Sequence, residues 1–152
     1  MSSQTLGRPV ETLLIEDNPG DARLIVEALS ENKELGNLHV VRDGIAALAF
    51  LRREGKYTDA PRPDLILLDL HLPRRDGHKV LADIKADKDL KRIPVVVLTT
   101  SDAAEDISAA YDLHANCCIT KPVGLDQFFT VVKSIEEFWC TIVRLPEQKN
   151  GR

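Results

Sequence analysis

The chain has 152 residues, of which 43% are hydrophobic and 29% charged, and its formal net charge is -4. One ordinary globular domain fits this composition, and an acidic balance with scattered Lys and Arg argues against nucleic acid or a membrane surface as partner. The first residues lack the apolar core of a secretory signal, no run approaches the roughly 18 apolar residues of a membrane span, and the cysteines have no metal-ligand spacing, so we expect a reduced, cytoplasmic protein.

Apolar runs and amphipathic helical patterns alternate along the chain. In chain order, strands are predicted at 10–16, 38–42, 64–70, 93–99 and 116–120, and helices at 19–31, 44–54, 78–90, 103–115 and 125–143. Asn18 and Asp43 are the predicted N-caps of the first two helices, and Gly55 is the predicted stop of the second. Strands that alternate with helices through short loops predict a doubly wound parallel α/β sheet of five strands, flanked by five helices.

Polar side chains mark the carboxyl ends of four predicted strands. They are Glu16 and Asp17 after the first strand, Asp69 at the end of the third, Thr99 and Thr100 at the end of the fourth, and Thr120 and Lys121 at the end of the fifth. Taken singly, each has an ordinary structural explanation, such as an acid that caps a helix or a lysine on the surface. Ligands of open parallel sheets bind outside these strand ends, so their shared position predicts a functional site.

The adjacent acids Glu16 and Asp17 repel each other, and Asp69 is expected beside them. A divalent cation would offset the repulsion, and Mg²⁺ suits an incomplete ring of carboxylates because it keeps several of its waters. A magnesium ion with a nearby lysine and hydroxyl group is typical of phosphoryl transfer. Asp69 is the predicted nucleophile, and Lys121 is the predicted positive charge beside the phosphoryl group.

Four motifs together resemble the receiver domain of two-component response regulators over about residues 11–138: ED after the first strand, LLDLHLPRRDG around the third, VVVLTTS at the fourth and TKP at the fifth. The resemblance implies the flavodoxin-like strand order 2-1-3-4-5 and a signalling role rather than an enzyme. It implies that Asp69 accepts a phosphoryl group from a phosphohistidine of a sensor histidine kinase. The implied ligands of Mg²⁺ or Mn²⁺ are Glu16, Asp17, Asp69 and the backbone carbonyl of His71, and the implied phosphoryl contacts are Thr99, Thr100 and Lys121.

Longer stretches are similar to single-domain regulators that are paired with bacterial phytochromes: EDNPGDARLIVEAL, DLHLPRRDGHKVL, HANCCITKPV and SIEEFWCTIVRLP. This narrower resemblance implies a phytochrome-type kinase as the phosphoryl donor. Because no DNA-binding domain follows the receiver in this sequence, we expect output through a protein contact or a phosphorelay.

The sequence departs from the receiver pattern at Cys118, where the family commonly has Tyr or Phe. In the family that ring moves inward when the domain is phosphorylated, so we expect the signal to pass instead through loop and fourth-helix motion. His71 and Ser101 occupy positions at which receivers vary the side chains that admit or block hydrolytic water. They are the predicted determinants of phosphate lifetime.

We predict one receiver domain over 1–152, with a core of about 10–138 and an apolar extension of about 139–146. The apolar side chains at this end are Phe138, Trp139, Ile142, Val143 and Leu145. They either pack back onto their own domain or form a shared surface, and we favour a homodimer because a large exposed apolar patch usually marks an interface.

Two other functions compete with the receiver interpretation. A haloacid-dehalogenase-type phosphatase would need a second acid two residues after the nucleophile, and His71 stands there. A pseudo-receiver that binds a partner without taking phosphate agrees with Cys118 but not with the retention of Glu16, Asp17, Asp69, Thr99 and Lys121.

Overall fold

A computed structural model describes residues 11–30, 37–70, 77–99, 104–120 and Thr130. The strands are β1 (Glu11–Ile15), β2 (Asn37–Val41), β3 (Leu65–Asp69), β4 (Val95–Thr99) and β5 (Cys117–Thr120). The helices are α1 (Pro19–Ser30), α2 (Gly44–Arg52), α3 (Gly77–Ala86) and α4 (Ala104–Asp112), with short 3-10 turns at Gly55–Tyr57 and Leu90–Arg92. The predicted last helix, 125–143, lies outside the described residues except for Thr130, which is helical.

The five strands form one parallel sheet in the order β2-β1-β3-β4-β5. This is the predicted flavodoxin-like order, and it places β1 and β3 side by side in the interior of the sheet. In β3 every residue is buried, as its unbroken apolar run predicts for a strand covered on both faces. On the outer strand β2, Val40 is exposed.

Alternate residues of the central strands pack on opposite faces of the sheet. On one face, Leu13 and Ile15 of β1 belong to a continuous apolar cluster with side chains of α2, α3 and α4, among them Ala47, Phe50, Val80, Ile84 and Ala110. Leu14 and Leu67 are equally buried but lie outside that cluster. The central strands of the sheet are therefore buried on both faces.

The helix starts agree with the sequence to within one residue, whereas the ends of α2, α3 and α4 do not. Helix α4 ends at Asp112 and not at the predicted residue 115. Asn18 Oδ1 accepts the Asp21 N–H at 2.9 Å, and Asp43 Oδ1 accepts the Ala46 N–H at 2.8 Å, so both predicted N-caps are confirmed. The prediction that Gly55 stops the second helix is wrong, because α2 ends at Arg52 and Arg53 takes the left-handed conformation with φ 58°.

The third helix is shorter than its periodic pattern predicted, ending at Ala86 rather than near Leu90. Asp87 Oδ1 accepts the amide N–H groups of Asp89 and Leu90 at 2.8 and 3.0 Å. A side-chain acceptor of this kind competes with the helical backbone bonds, so the chain leaves the helix and forms the 3-10 turn instead. Among the described helices, none is both long enough and apolar enough to cross a membrane.

Candidate functional site

Three carboxylates meet at the carboxyl edge of the two interior strands. Ile15 of β1 pairs with Leu68 of β3, so Glu16 and Asp69 follow as the next residues of neighbouring strands. Glu16, Asp17 and Asp69 each place a carboxylate oxygen within 4.8 Å of the other two. The convergence predicted from the sequence is therefore present for the three acids.

Glu16 is fully buried, at 0% exposure, and its surroundings fix its backbone and side chain. Its N–H donates to the Val41 carbonyl at 3.0 Å, which extends the pairing of β1 with β2 by one residue. Its Oε2 accepts the Asn18 N–H at 3.2 Å. Because Asn18 also caps α1, the turn that starts the helix orients the buried acid.

Asp69 is 6% exposed, whereas Asp17 is half-buried. Burying carboxylates next to one another is costly unless positive charge or hydrogen bonds compensate for it. Among the described residues, the three donors that meet here are carboxylate oxygens, which hard divalent cations prefer. Mg²⁺ binds oxygens at about 2.0–2.1 Å and keeps several waters, so three acids within 4.8 Å fit one ion whose waters complete the shell.

The backbone behind Asp69 is held by the first residue of α3. The Gly77 N–H donates to the Leu70 carbonyl at 3.0 Å. A Cβ added at Gly77 would lie 2.4 Å from Leu70 Cα and 2.6 Å from the Asp69 carbonyl oxygen. Only a residue without a side chain can lie this close to the backbone of Asp69 and Leu70. Glycine at position 77 therefore allows the start of α3 to pack against the end of β3.

The remaining predicted site residues are described only in part. Asp69 pairs with Leu98, and Thr99 pairs with Thr120, so the backbone ends of β3, β4 and β5 are in register. The side chains of Thr99 and Thr120 lie outside the description. The same holds entirely for these predicted residues: His71, Thr100, Ser101, Lys121 and the tail set Phe138, Trp139, Ile142, Val143 and Leu145.

Cys118, the residue at the position of the missing aromatic, is half-buried and packs against the apolar cluster. Its N–H donates to the hydroxyl of Tyr111 at 3.2 Å. Tyr111 could not be recognised from the sequence, since nothing in the pattern of α4 links a tyrosine in its last turn with a backbone group seven residues later.

Comparisons with known proteins agree with this architecture. A family model described as "Response regulator receiver domain" matches residues 12–133. Response regulator Rcp1 of Synechocystis sp. is 51% identical over 138 residues, which cover 91% of this chain and 94% of that protein. FilR2 of Methanothrix harundinacea, described as a probable methanogenesis regulatory protein, is 42% identical over 139 residues, covering 91% of this chain and 88% of its own length.

Two solved structures are similar over nearly the whole of their chains. The phosphorylated cyanobacterial phytochrome response regulator RcpA is 54% identical with a TM-score of 0.90, covering 92% of this chain and 100% of that one. The Mn²⁺-bound form of Rcp1 is 51% identical with a TM-score of 0.88, covering 91% of this chain and 100% of that one. The family model matches most of the chain, the strand order is the one expected of the family, and three acids meet at the carboxyl ends of β1 and β3. This chain therefore belongs to the response-regulator receiver-domain family.

Proposed function

We propose that the chain is a single-domain two-component response regulator that accepts a phosphoryl group on Asp69 from a phosphohistidine of a sensor histidine kinase. The observation that carries the proposal is the cluster of Glu16, Asp17 and Asp69, whose carboxylate oxygens lie within 4.8 Å of one another. Receiver domains act in general as signal transducers rather than as enzymes that turn over a substrate, and the proposal follows that role.

The chemistry assigned to Asp69 is an in-line displacement at phosphorus. One carboxylate oxygen forms the new P–O bond while the P–N bond to the donor imidazole breaks, and the leaving nitrogen keeps the electron pair. Bound Mg²⁺ or Mn²⁺ supplies charge neutralisation for the phosphoryl oxygens and the acids. Glu16 and Asp17 hold the ion with Asp69, and the buried end of β3 keeps the attacking carboxylate in place.

The other site roles are part of the proposal. The backbone carbonyl of His71 completes the protein ligands of the metal, and Thr99, Thr100 and Lys121 contact the phosphoryl group. The side chains of His71 and Ser101 set the phosphate lifetime through the access of water. The backbone register of Thr99 with Thr120, one step beyond the Asp69–Leu98 pair, supports this assignment for the ends of β4 and β5.

The donor kinase is proposed to be of the phytochrome type, with output through a protein contact or phosphorelay. The support is that one similar solved structure is described as a phosphorylated cyanobacterial phytochrome response regulator. We also propose that the protein is cytoplasmic and that it does not bind nucleic acid. Its net charge of -4 supports the second point.

The experiment that tests phosphoryl acceptance is intact mass measurement after incubation with acetyl phosphate, with Mg²⁺ or with a chelator. The expected result is the gain of one phosphoryl group that requires the metal and disappears in Asp69→Asn. Asp59→Asn is the matched control because Asp59 is an exposed acid in a turn, so its uptake should equal that of the unmodified protein. Absence of uptake with every divalent metal, in protein whose circular dichroism shows it to be folded, would contradict the proposal and favour the pseudo-receiver.

We further propose that residues 1–152 form a single domain that dimerises through its apolar end segment. The proposed contacts are Phe138, Trp139, Ile142, Val143 and Leu145. A homodimer fits the apolar character of this segment, which a monomer would have to cover with its own surface. Truncation after Phe138 should convert the dimer into a monomer in sedimentation equilibrium. A truncated chain that remains dimeric would contradict this part of the proposal.

A further inference from the structure

The outer edge of β5 is held by a side chain of the preceding helix. In the described sheet β5 is the last strand, and its only neighbour is β4. The Cys118 N–H on this strand donates to the Tyr111 hydroxyl at 3.2 Å. The Tyr111 hydroxyl is therefore a protein acceptor for a backbone N–H of the outermost strand of the described sheet.

Both ends of this link are well anchored. The Tyr111 carbonyl accepts the His114 N–H at 2.9 Å, and the Ala110 carbonyl accepts the Ala115 N–H at 3.0 Å, so the end of α4 is closed by its own backbone. The Asn116 N–H donates to the Val95 carbonyl at 3.0 Å, which fixes the chain at the start of β5. The hydroxyl thus joins two segments that are already ordered.

Burial does not explain the position of Tyr111. Its side chain is 48% exposed, so only part of the ring gains from packing. The Tyr111 hydroxyl accepts the Cys118 N–H in an exposed contact, and position 118 itself carries no ring because it is a cysteine. The aromatic ring beside this part of β5 therefore belongs to α4 and not to β5 itself.

We propose that Tyr111 is a positioning residue for phosphoryl acceptance: its hydroxyl fixes the edge of β5 and thereby the strand end from which the chain continues to Lys121. Cys118 pairs with Val97, and Thr120 pairs with Thr99 next to the strand end that carries Asp69. A shift of β5 along β4 displaces the residues that follow it relative to Asp69. This inference rests on the function proposed above, in which Lys121 contacts the phosphoryl group.

The test compares Tyr111→Phe with the full-length unmodified protein. Loss of one hydrogen bond should slow phosphoryl uptake from acetyl phosphate at saturating Mg²⁺ by about two- to tenfold. Mg²⁺ affinity should stay within about twofold, because the three acids lie at the carboxyl ends of β1 and β3, away from the outer strand that the variant loosens. The amide of Cys118 should exchange its hydrogen faster, while the amides of β1 exchange as before.

Tyr57→Phe is the matched control, since the Tyr57 hydroxyl makes no hydrogen bond within the described residues and its ring lies beside Phe50 at 5.4 Å. It should leave uptake, metal affinity and Cys118 exchange unchanged. Unchanged uptake in Tyr111→Phe despite faster exchange would overturn the inference and leave Tyr111 as an edge cap. A parallel fall in uptake and Mg²⁺ affinity would overturn it as a general loosening. Failure of the proposed function would appear separately, as absent uptake in the unmodified protein.

Discussion

Glu16, Asp17 and Asp69 look alike in the sequence, yet their environments differ. Glu16 is fully buried and accepts a backbone N–H, Asp69 is nearly buried, and Asp17 keeps contact with solvent. The sequence predicted that the three meet, because the carboxyl ends of neighbouring parallel strands share an edge. It could not predict their unequal burial, which depends on the turn formed by Asn18 at the start of α1.

Asp17→Asn should raise the free energy of unfolding when no metal is bound. With metal bound, it should lower the free energy of unfolding relative to the unmodified chain. The substitution removes one of three negative charges within 4.8 Å, and each of the two lost repulsions is about 1 kcal/mol at the dielectric of bulk water and larger at a partly buried site. Urea unfolding in a chelator should therefore show a higher free energy of unfolding. In saturating Mg²⁺ the order should reverse, because the asparagine is a weaker ligand.

Asp59→Asn provides the comparison, since Asp59 is exposed and is not part of the acidic cluster. Its free energy of unfolding should change little in either buffer. If Asp17→Asn lowered stability in the chelator, the idea that the three acids repel one another in the metal-free protein would be wrong.

Gly77→Ala should damage both stability and phosphoryl uptake. The new methyl group would lie 2.4 Å from Leu70 Cα and 2.7 Å from the Leu70 carbonyl oxygen, and backbone atoms cannot rotate aside as a side chain can. The chain after Asp69 must move, at a cost of about 2–3 kcal/mol. Chemical unfolding and the acetyl phosphate mass assay measure the two effects.

Gly20→Ala is the control for that substitution. Its added methyl group meets only the Asn18 side-chain oxygen at 3.2 Å, and it lies in the first turn of α1, where alanine favours the helix. Because only one side-chain oxygen has to move, its free energy of unfolding should fall much less than that of Gly77→Ala. Equal behaviour of the two variants would show that the close approach at Gly77 carries no constraint.

At the scale of the element, helix starts were more predictable than helix ends. An N-cap is a side-chain oxygen next to free N–H groups, so Asn18 and Asp43 can be recognised locally. The left-handed residues that follow α2 and α4 are Arg53 and His114, with φ 58° and 72°, where glycine is the usual signal. The hydrogen bonds from the Glu54 N–H to the Ala49 carbonyl and from the Ala115 N–H to the Ala110 carbonyl impose this conformation. No residue type in the sequence signals these bonds.

His114→Gly should therefore stabilise the end of α4. A non-glycine residue pays a steric cost in the left-handed region, and glycine removes it while adding entropy to the unfolded chain, for a net gain of about 0.5–1 kcal/mol. His114→Ala separates the two terms because it removes the imidazole but keeps the Cβ. A thermal unfolding experiment in which alanine stabilised as much as glycine would exclude the conformational explanation.

Lys85 connects α3 with the starts of β4 and β5. Its Nζ donates to the Asn116 side-chain oxygen at 3.0 Å and to the Lys91 and Ile93 carbonyls at 3.4 Å. Asn116 Oδ1 also accepts the Val95 N–H at 2.8 Å. Burial lowers the pKa of Lys85 from its ordinary value of 10.5. Folding therefore partly removes the charged ammonium group of Lys85 from water.

This lowered pKa predicts the pH dependence of stability. Between the folded pKa and 10.5 the unfolded chain binds more protons at Lys85 than the folded chain, so the free energy of unfolding rises with pH in that window. Below the folded pKa both states are protonated and the burial cost is constant. The stability difference between the unmodified protein and Lys85→Met should therefore increase in favour of the unmodified protein as pH approaches 10.5.

Lys79→Met is the matched variant, since Lys79 is exposed on the same helix. Its stability difference from the unmodified protein should be nearly flat over the same pH range. A Lys85→Met difference that is equally flat, or that shrinks as the pH rises, would contradict a lowered pKa at Lys85.

At the scale of the whole molecule, the strand order agrees with what the sequence predicted, and the three acids meet at the carboxyl ends of β1 and β3. The apolar stretches LLI of β1 and LILL of β3 need cover on both faces, which the interior of a doubly wound sheet provides. The β2 segment mixes polar and apolar residues, as a strand with an exposed edge can. The Tyr111–Cys118 contact was beyond sequence reasoning, because it depends on how α4 packs against β5 in three dimensions.

The site at the edge of β1 and β3 also predicts how the stability of the whole domain responds to metal. An ion that binds the folded chain but not the unfolded chain stabilises by RT ln(1 + [ion]/Kd). A single site therefore adds about 1.4 kcal/mol to the free energy of unfolding for each tenfold rise in free Mg²⁺ above the Kd. Urea unfolding at a series of buffered Mg²⁺ concentrations measures this slope.

The slope discriminates between models of the acidic cluster. One ion held by the three carboxylates gives about 1.4 kcal/mol per tenfold change, and two ions give twice that value at saturation. Asp17→Asn should shift the rise to higher Mg²⁺ concentration without changing the slope, because the number of ions stays the same while the affinity falls. A domain whose stability is independent of Mg²⁺ would show that Glu16, Asp17 and Asp69 meet without binding the ion, and phosphoryl acceptance on Asp69 would then lack its counter-charge.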